Sequence, residues 1–245
     1  MAIDRFDRRI RLYTILSAVF LSALILAEIT GGKLIALPAL GGMSFAITMG
    51  VLPFPITFII TDLINEYFGR AGIRFITFVG MGAVLLVLLL LRLDMIIPAA
   101  PVSPIDDRSF NIVFGFSTRI IIGSLIAYLV SQLVDISVFH LVRSRTGLRM
   151  FWLRATGSTL VSQFIDSFLV LYIAFIGTLP MGEIGTISAA NYAYKAIIAI
   201  ITTPLLYVFR SWIRRYLGDA LSVRMLEEVD SSERKILAEN NAGSS

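Results

Sequence analysis

The chain has 245 residues, of which 57% are hydrophobic and 16% charged, with a mean hydropathy of +0.84. A soluble domain of this length could not bury so much apolar surface in one core, so the composition excludes that class and makes the chain an integral membrane protein. The formal charge of +4 does not imply nucleic acid, because the basic residues gather at the ends of apolar runs, and the lack of cysteine removes disulfide and thiol chemistry.

Six apolar stretches approach the roughly 20 residues that a bilayer requires. They run from about Leu12 to Ile29, Phe45 to Leu63, Phe75 to Leu91, Val113 to Phe139, Leu153 to Ile176 and Ile187 to Phe209. With no water at that depth to satisfy the backbone, each is expected to be a helix, giving an all-α polytopic bundle of six transmembrane helices. Arg5, Arg8, Arg9 and Arg11 precede helix 1, Arg70 and Arg74 join helices 2 and 3, Arg143, Arg145, Arg149 and Arg154 join 4 and 5, and Arg210, Arg214 and Arg215 follow 6. All fall on one side of an alternating path, and the positive-inside rule makes that side, with both termini, cytoplasmic. The first run is longer than a signal-peptide core and lacks a convincing cleavage site, so it reads as a mature helix. The expected organisation is a cytoplasmic leader over residues 1–11, a membrane domain over 12–215 and a cytoplasmic tail over 216–245.

Helix 1 is apolar up to Glu28 near its outer end, where the carboxylate either reaches water or serves binding or gating. Gly41, Gly42, Gly50, Pro53 and Pro55 then interrupt helical continuity. Pro55 fits two readings: an ordinary kink, or a helix 2 broken near Pro53 and Pro55 into two half-helices. The segment 54–74, FPITFIITDLINEYFGRAGIR, carries Asp62, Asn65 and Glu66 on one helical face. A carboxylate at hydrocarbon depth costs roughly 3 kcal/mol on insertion scales, so Asp62 is expected to face the bundle interior. Glu66 lies near the cytoplasmic boundary, as a gate or paired with the arginines there, and Gly69 and Arg70 end the helix.

Helix 3 shows no polar face beyond Thr77, and Arg92 can snorkel. The loop from about Asp94 to Ile112 is either a lid over the outer mouth or a plain connection. Arg119, early in helix 4, lies at about the depth of Glu28, so the two either pair or both face an entry vestibule. Further along, Gln132 and Asp135 share a face. The run Ser131, Gln132, Leu133, Val134, Asp135 is then matched in helix 5 by Ser162, Gln163, Phe164, Ile165, Asp166. That match is either an inverted repeat or two polar helix faces meeting in the interior. Helix 6 brings Asn191, Tyr192, Tyr194 and Lys195, whose buried amine requires a carboxylate: Asp166 first, Glu28 next. The tail is expected to form a short surface helix with no chemistry.

No GxSxG, HExxH or GxGD motif occurs, the lone His140 cannot build a metal site unaided, and no cofactor is expected, so the chain does not read as an enzyme. Its buried carboxylates, glutamines, asparagine and aromatic rings suit a polar, planar solute instead. A carboxylate accepts two hydrogen bonds from an amidine-like N–H edge, amides both donate and accept, and rings stack on the solute's face. A nucleobase, a vitamin or another amide-rich solute fits equally at this level.

The segment holding Phe54, Pro55, Thr57, Phe58, Thr61, Asp62, Asn65, Glu66, Phe68, Gly69 and Arg70 resembles the hallmark pattern of the queuosine precursor transporter family, also called the vitamin uptake transporter (VUT) group. Similarity continues in FGFSTRIIIGSLIAYLVSQLVD, at Trp152 and Arg154, and in STLVSQFID, covering about residues 12–215. The resemblance implies a multi-pass protein of the bacterial inner membrane that imports a 7-deazaguanine base, such as 7-cyano-7-deazaguanine, for queuosine modification of tRNA. Asp62, Asn65, Arg119, Gln132, Asp135, Gln163, Asp166 and Lys195 are the candidate substrate-binding residues, with Glu28 and Glu66 as gating or ion-pair residues. The implied partners are the deazapurine and the lipid membrane, with no direct nucleic-acid binding and with a homodimer left open. The alternative is a substrate-binding subunit of an energy-coupling-factor vitamin transporter, whose ATPase would be supplied in trans.

Overall fold

The computed structural model describes residues 7–30, 33–36, 46–115, 118–177 and 179–242. Helix α1 (Arg8–Thr30) leads into a small antiparallel ribbon, β1 (Leu34–Ala36) and β2 (Ala46–Thr48), and a 3-10 turn at Met49–Val51. The remaining elements are α2 (Phe54–Asp94), α3 (Asp107–Phe114), α4 (Thr118–Thr146), α5 (Phe151–Phe175), α6 (Met181–Leu217) and α7 (Asp219–Ala242). Five helices, α1, α2, α4, α5 and α6, are long and apolar enough to cross a membrane.

Helix α2 has 41 residues, about 62 Å if straight and so about twice the thickness of a bilayer core. It is not straight. Gly69 adopts φ 66°, ψ −168°, a conformation open essentially to glycine alone, and divides α2 into limbs 54–68 and 70–94. The limit expected at Gly69 and Arg70 is therefore where the helix turns. The expected helix from Phe45, broken or kinked at Pro53 and Pro55, is corrected: residues 46–51 form a strand and a 3-10 turn, and the prolines begin the helix. Pro53 is its N-cap and Pro55 lies in its first turn, where a missing N–H forfeits no intrahelical bond. Gly41 and Gly42 lie outside the described residues.

Limb 70–94 buries Ile73, Ile76, Thr77, Gly80, Val84 and Leu88 at helical spacing, while Phe75, Leu86, Leu89 and Leu93 on its other side are exposed. That is the pattern of a helix with one face on a bundle and one on lipid. The closest partnership is α4 with α5, followed by α5 with α6 and α1 with α2. Helix α3, capped by Asp106 accepting from the Ser109 N–H at 2.7 Å, buries none of its residues. Arg8 reaches the Tyr216 carbonyl at 3.3 Å and Arg9 pairs with Glu228 at 2.9 Å, so the start of α1 meets α6 and α7 at one end of the bundle.

The tail differs from its expected form. Helix α7 is 24 residues long, and Ser222, Met225, Leu226, Val229 and Glu233, three and four apart, form a face buried against α2, α4 and α6. Val229 sits on the bend in α2: a Cβ added at Gly69 would lie 3.2 Å from its Cγ1. Gly69→Ala is therefore expected to lose roughly 1 to 3 kcal/mol of stability from backbone strain, read as a lower melting temperature in detergent. Adding Val229→Ala should relieve the contact but not the strain. A Gly69→Ala protein that melts like the wild type would refute the assignment.

Candidate functional site

The repeated Ser-x-x-x-Asp runs of α4 and α5 meet reciprocally. Ser131 donates to Asp166 at 3.4 Å, and Ser162 donates to Asp135 at 3.2 Å. Antiparallel packing of two similar polar faces produces this crossed arrangement, because each serine falls opposite the other helix's aspartate. Asp166 also accepts from Lys195 Nζ of α6 at 2.6 Å, and that ammonium lies 4.4 Å from the centroid of the Phe54 ring at the start of α2. Four helices thus converge on one ion pair. Glu28 accepts from Ser124 at 3.1 Å, tying α1 to α4, while the side chain of Arg119 lies outside the described residues.

Several buried polar atoms have no hydrogen-bond partner among the described residues. Among them are the acceptors Asp62 Oδ1, Asp135 Oδ2 and Gln163 Oε1 and the donors Asn65 Nδ2 and Gln132 Nε2; His140 Nδ1 and Arg143 Nε are others. Asp135 Oδ1 accepts from Ser162 and Ser158 also lies close to the carboxylate, while Oδ2 has no partner in hydrogen-bond geometry among the described residues. Asp62 lines a small cavity between α2, α5 and α6 with Phe58, Thr156, Thr159 and Thr202, with room for roughly one water molecule. Unsatisfied buried groups of both polarities are costly to fold around, and one explanation for keeping them is an occupant that completes them.

Glu66 belongs to a different arrangement. Its fully buried carboxylate takes Arg154 at 2.6 Å, Arg143 at 3.1 Å and Arg210 at 3.1 Å, while Arg143 also donates to the Glu66 carbonyl and, through Nη2, to Leu226 O of α7. Arg154 spends its remaining donors on the carbonyls of Gly147 and Arg149. With its oxygens so occupied, Glu66 is a structural hub joining α2, α4, α5 and α6. Beside it, His140 Nε2 is 3.2 Å from Asn65 Oδ1, and His140 Nδ1 is 3.1 Å from Glu233, which also pairs with Arg70 at 2.9 Å. Burial pushes the Glu233 carboxyl up, but the His140 and Arg70 contacts outweigh this and hold it below its ordinary value.

In the sequence, Arg143, Arg154 and Arg210 read as topology signals and as pairing candidates for Glu66, whereas His140 and the tail carry no expected role. The charge demand of Glu66 pointed towards the arginines. For α7, the signal was the spacing of Met225, Leu226 and Val229; nothing local marks Glu233 as their companion in a buried cluster.

Residues 48–209 match the family model described as "Putative vitamin uptake transporter". The chain is 30% identical over 167 residues to "Probable queuosine precursor transporter" of Bacillus subtilis (strain 168), covering 68% of this chain and 72% of that protein. It is 33% identical over 172 residues to the "Probable queuosine precursor transporter" of Haemophilus influenzae, covering 69% and 70%. It is 28% identical over 200 residues to the "Queuosine precursor transporter" of Escherichia coli (strain K12), covering 76% and 82%. No solved structure matches the chain. With a family model spanning well over half of its length, the chain belongs to the vitamin uptake transporter family, the group that holds proteins named queuosine precursor transporter.

Proposed function

We propose that the protein imports a queuosine precursor, a 7-deazaguanine base such as 7-cyano-7-deazaguanine, across the bacterial inner membrane for tRNA modification. The observation that carries this reading is the set of unpartnered donors and acceptors inside an apolar bundle, on Asp62, Asn65, Gln132, Asp135 and Gln163. In the proposed complex, the amidine-like edge of the base donates to Asp62 or Asp135, the amides of Asn65 and Gln132 donate to its acceptors, and Phe58 stacks on its face. The cavity at Asp62 is far smaller than a base, so loading requires the helices to part.

Uptake of radiolabelled 7-cyano-7-deazaguanine by purified protein in liposomes, with no partner added, is the direct test. Asp135→Ala should abolish that uptake while the protein still inserts and melts cooperatively. A folded, fully active Asp135→Ala protein would refute the site, and uptake only with an added ATPase would mark a binding subunit.

The two limbs of α2 count as separate crossings in this proposal, giving six helices with both termini cytoplasmic. The bend at Gly69 and the convergence of α1, α6 and α7 at one end support it. The chain has no cysteine, so a single one is a clean reporter. A cysteine at Ser103 should react with an impermeant reagent from outside, and one at Gly147 should not; the reverse labelling would overturn the orientation.

A further inference from the structure

The contacts of His140 form a chain from the tail helix to the candidate pocket. His140 and Asn65 are fully buried and Glu233 is nearly so. Nδ1 of the ring lies 3.1 Å from the Glu233 carboxylate, an ionic contact that falls outside hydrogen-bond geometry, and Nε2 faces Asn65 Oδ1 at 3.2 Å. The other charged groups facing the ring are Arg70 on α2, which shares Glu233, and Arg143 on α4.

A carboxylate oxygen this close repels a bare ring lone pair and attracts an N–H, so Glu233 favours a hydrogen on Nδ1. That leaves Nε2 to gain or lose the exchangeable proton. When Nε2 carries it, the ring donates to Asn65 Oδ1, and the Asn65 Nδ2, which has no partner among the described residues, is turned elsewhere as a donor. When Nε2 is bare it becomes an acceptor, and the Asn65 amide must turn over to donate to it. The amide then offers its carbonyl where it had offered its amine. Without Glu233, a neutral ring could keep its hydrogen on Nε2 and the amide would stay as it is.

We infer that Glu233 of α7 is a positioning residue: by holding the Nδ1 hydrogen of His140, it makes the amide of Asn65 change between donor and acceptor with the protonation of Nε2. The pocket's preference among purine edges is then set from the tail helix, which lies outside the residues matched by the family model. This rests on the proposed reading in so far as Asn65 faces the transported base.

His140 is the chain's only histidine, so its ring nitrogens give unambiguous signals in 15N NMR of the full-length protein in detergent. The expected wild-type result is Nδ1 protonated throughout the titration, with Nε2 alone gaining and losing its proton. In Glu233→Leu, which leaves no acceptor at Nδ1, the neutral ring should shift to the Nε2-protonated tautomer. A wild-type ring that loses the Nδ1 hydrogen, or a folded Glu233→Leu protein with an unchanged tautomer, would overturn the inference. The wild-type spectrum decides this arm even if the variant does not fold.

The second arm measures binding of 7-deazaguanine and of 2,6-diamino-7-deazapurine, which present an acceptor and a donor at the same edge. Their affinity ratio should change about tenfold between the two protonation states in the wild type, the scale of one exchanged hydrogen bond, and stay flat in Glu233→Leu. A ratio that is flat in the wild type as well would overturn the link to Asn65. If neither base binds at any pH, the proposed substrate fails while the histidine spectrum still judges the role of Glu233.

Discussion

Glu66→Gln is expected to prevent the protein from accumulating in folded form, the largest stability effect of any single substitution considered. The carboxylate is the shared counter-ion of Arg143 and Arg154, both fully buried, and of the partly buried Arg210. Glutamine keeps the shape and one acceptor but removes the charge, leaving at least two guanidinium groups in a low-dielectric interior without compensation. Breaking a single buried pair costs roughly 3 to 5 kcal/mol, comparable to the whole stability of a small domain. Arg154→Gln should approach the same severity, because Arg154 gives two donors to Glu66 and others to the Gly147 and Arg149 carbonyls. Arg210→Gln should be the mildest, since its side chain is partly exposed whereas those of Arg143 and Arg154 are fully buried. The measurements are the folded yield by size exclusion and the melting temperature in detergent. A Glu66→Gln protein with wild-type yield and melting temperature would refute the hub.

The hub also explains what could and could not be read from the sequence. Apolar run lengths give six stretches where the described residues hold five helices long enough to cross a membrane, because two of the runs fall largely in the single bent α2. The glycine at position 69 marks where it bends, since only that residue tolerates the conformation found there. The crossed Ser131–Asp166 and Ser162–Asp135 contacts were foreshadowed by the repeated run, since antiparallel helices with matched polar faces have few ways to pair them. Pro53 and Pro55 misled: in an apolar run a proline reads as a break, yet a helix start suits it as well, and only the chain before it, here a strand and a turn, decides between them. The tail misled for another reason. A short surface helix is expected there, but polar composition hides that its few apolar residues share one buried face, and a contact between Glu233 and His140 depends on tertiary packing that no local pattern encodes.

The pairing of Lys195 with Asp166 is expected to behave as one energetic unit and to control access from the end of the bundle opposite the hub. The two charges are 2.6 Å apart, with side-chain exposures of 7% and 15%, and Lys195 also lies over the Phe54 ring where α2 begins. Desolvation disfavours both ions and mutual attraction favours both, so the pair holds while dry and loosens when water enters. If the base binds between the helices, it competes for Asp166, and releasing Lys195 would free the start of α2 from α5 and α6. Lys195→Met strands a carboxylate and Asp166→Asn strands an ammonium, each costing roughly 3 to 5 kcal/mol, whereas the double variant strands neither charge. The double-mutant cycle should therefore show a loss well below the sum of the single losses, with the double variant more stable than Lys195→Met alone. Transport should still be impaired in the double variant, because a neutral pair no longer responds to solvent or substrate. Additive losses would show that the two residues do not interact, and full uptake by a stable double variant would show that the pair holds the bundle together without gating it.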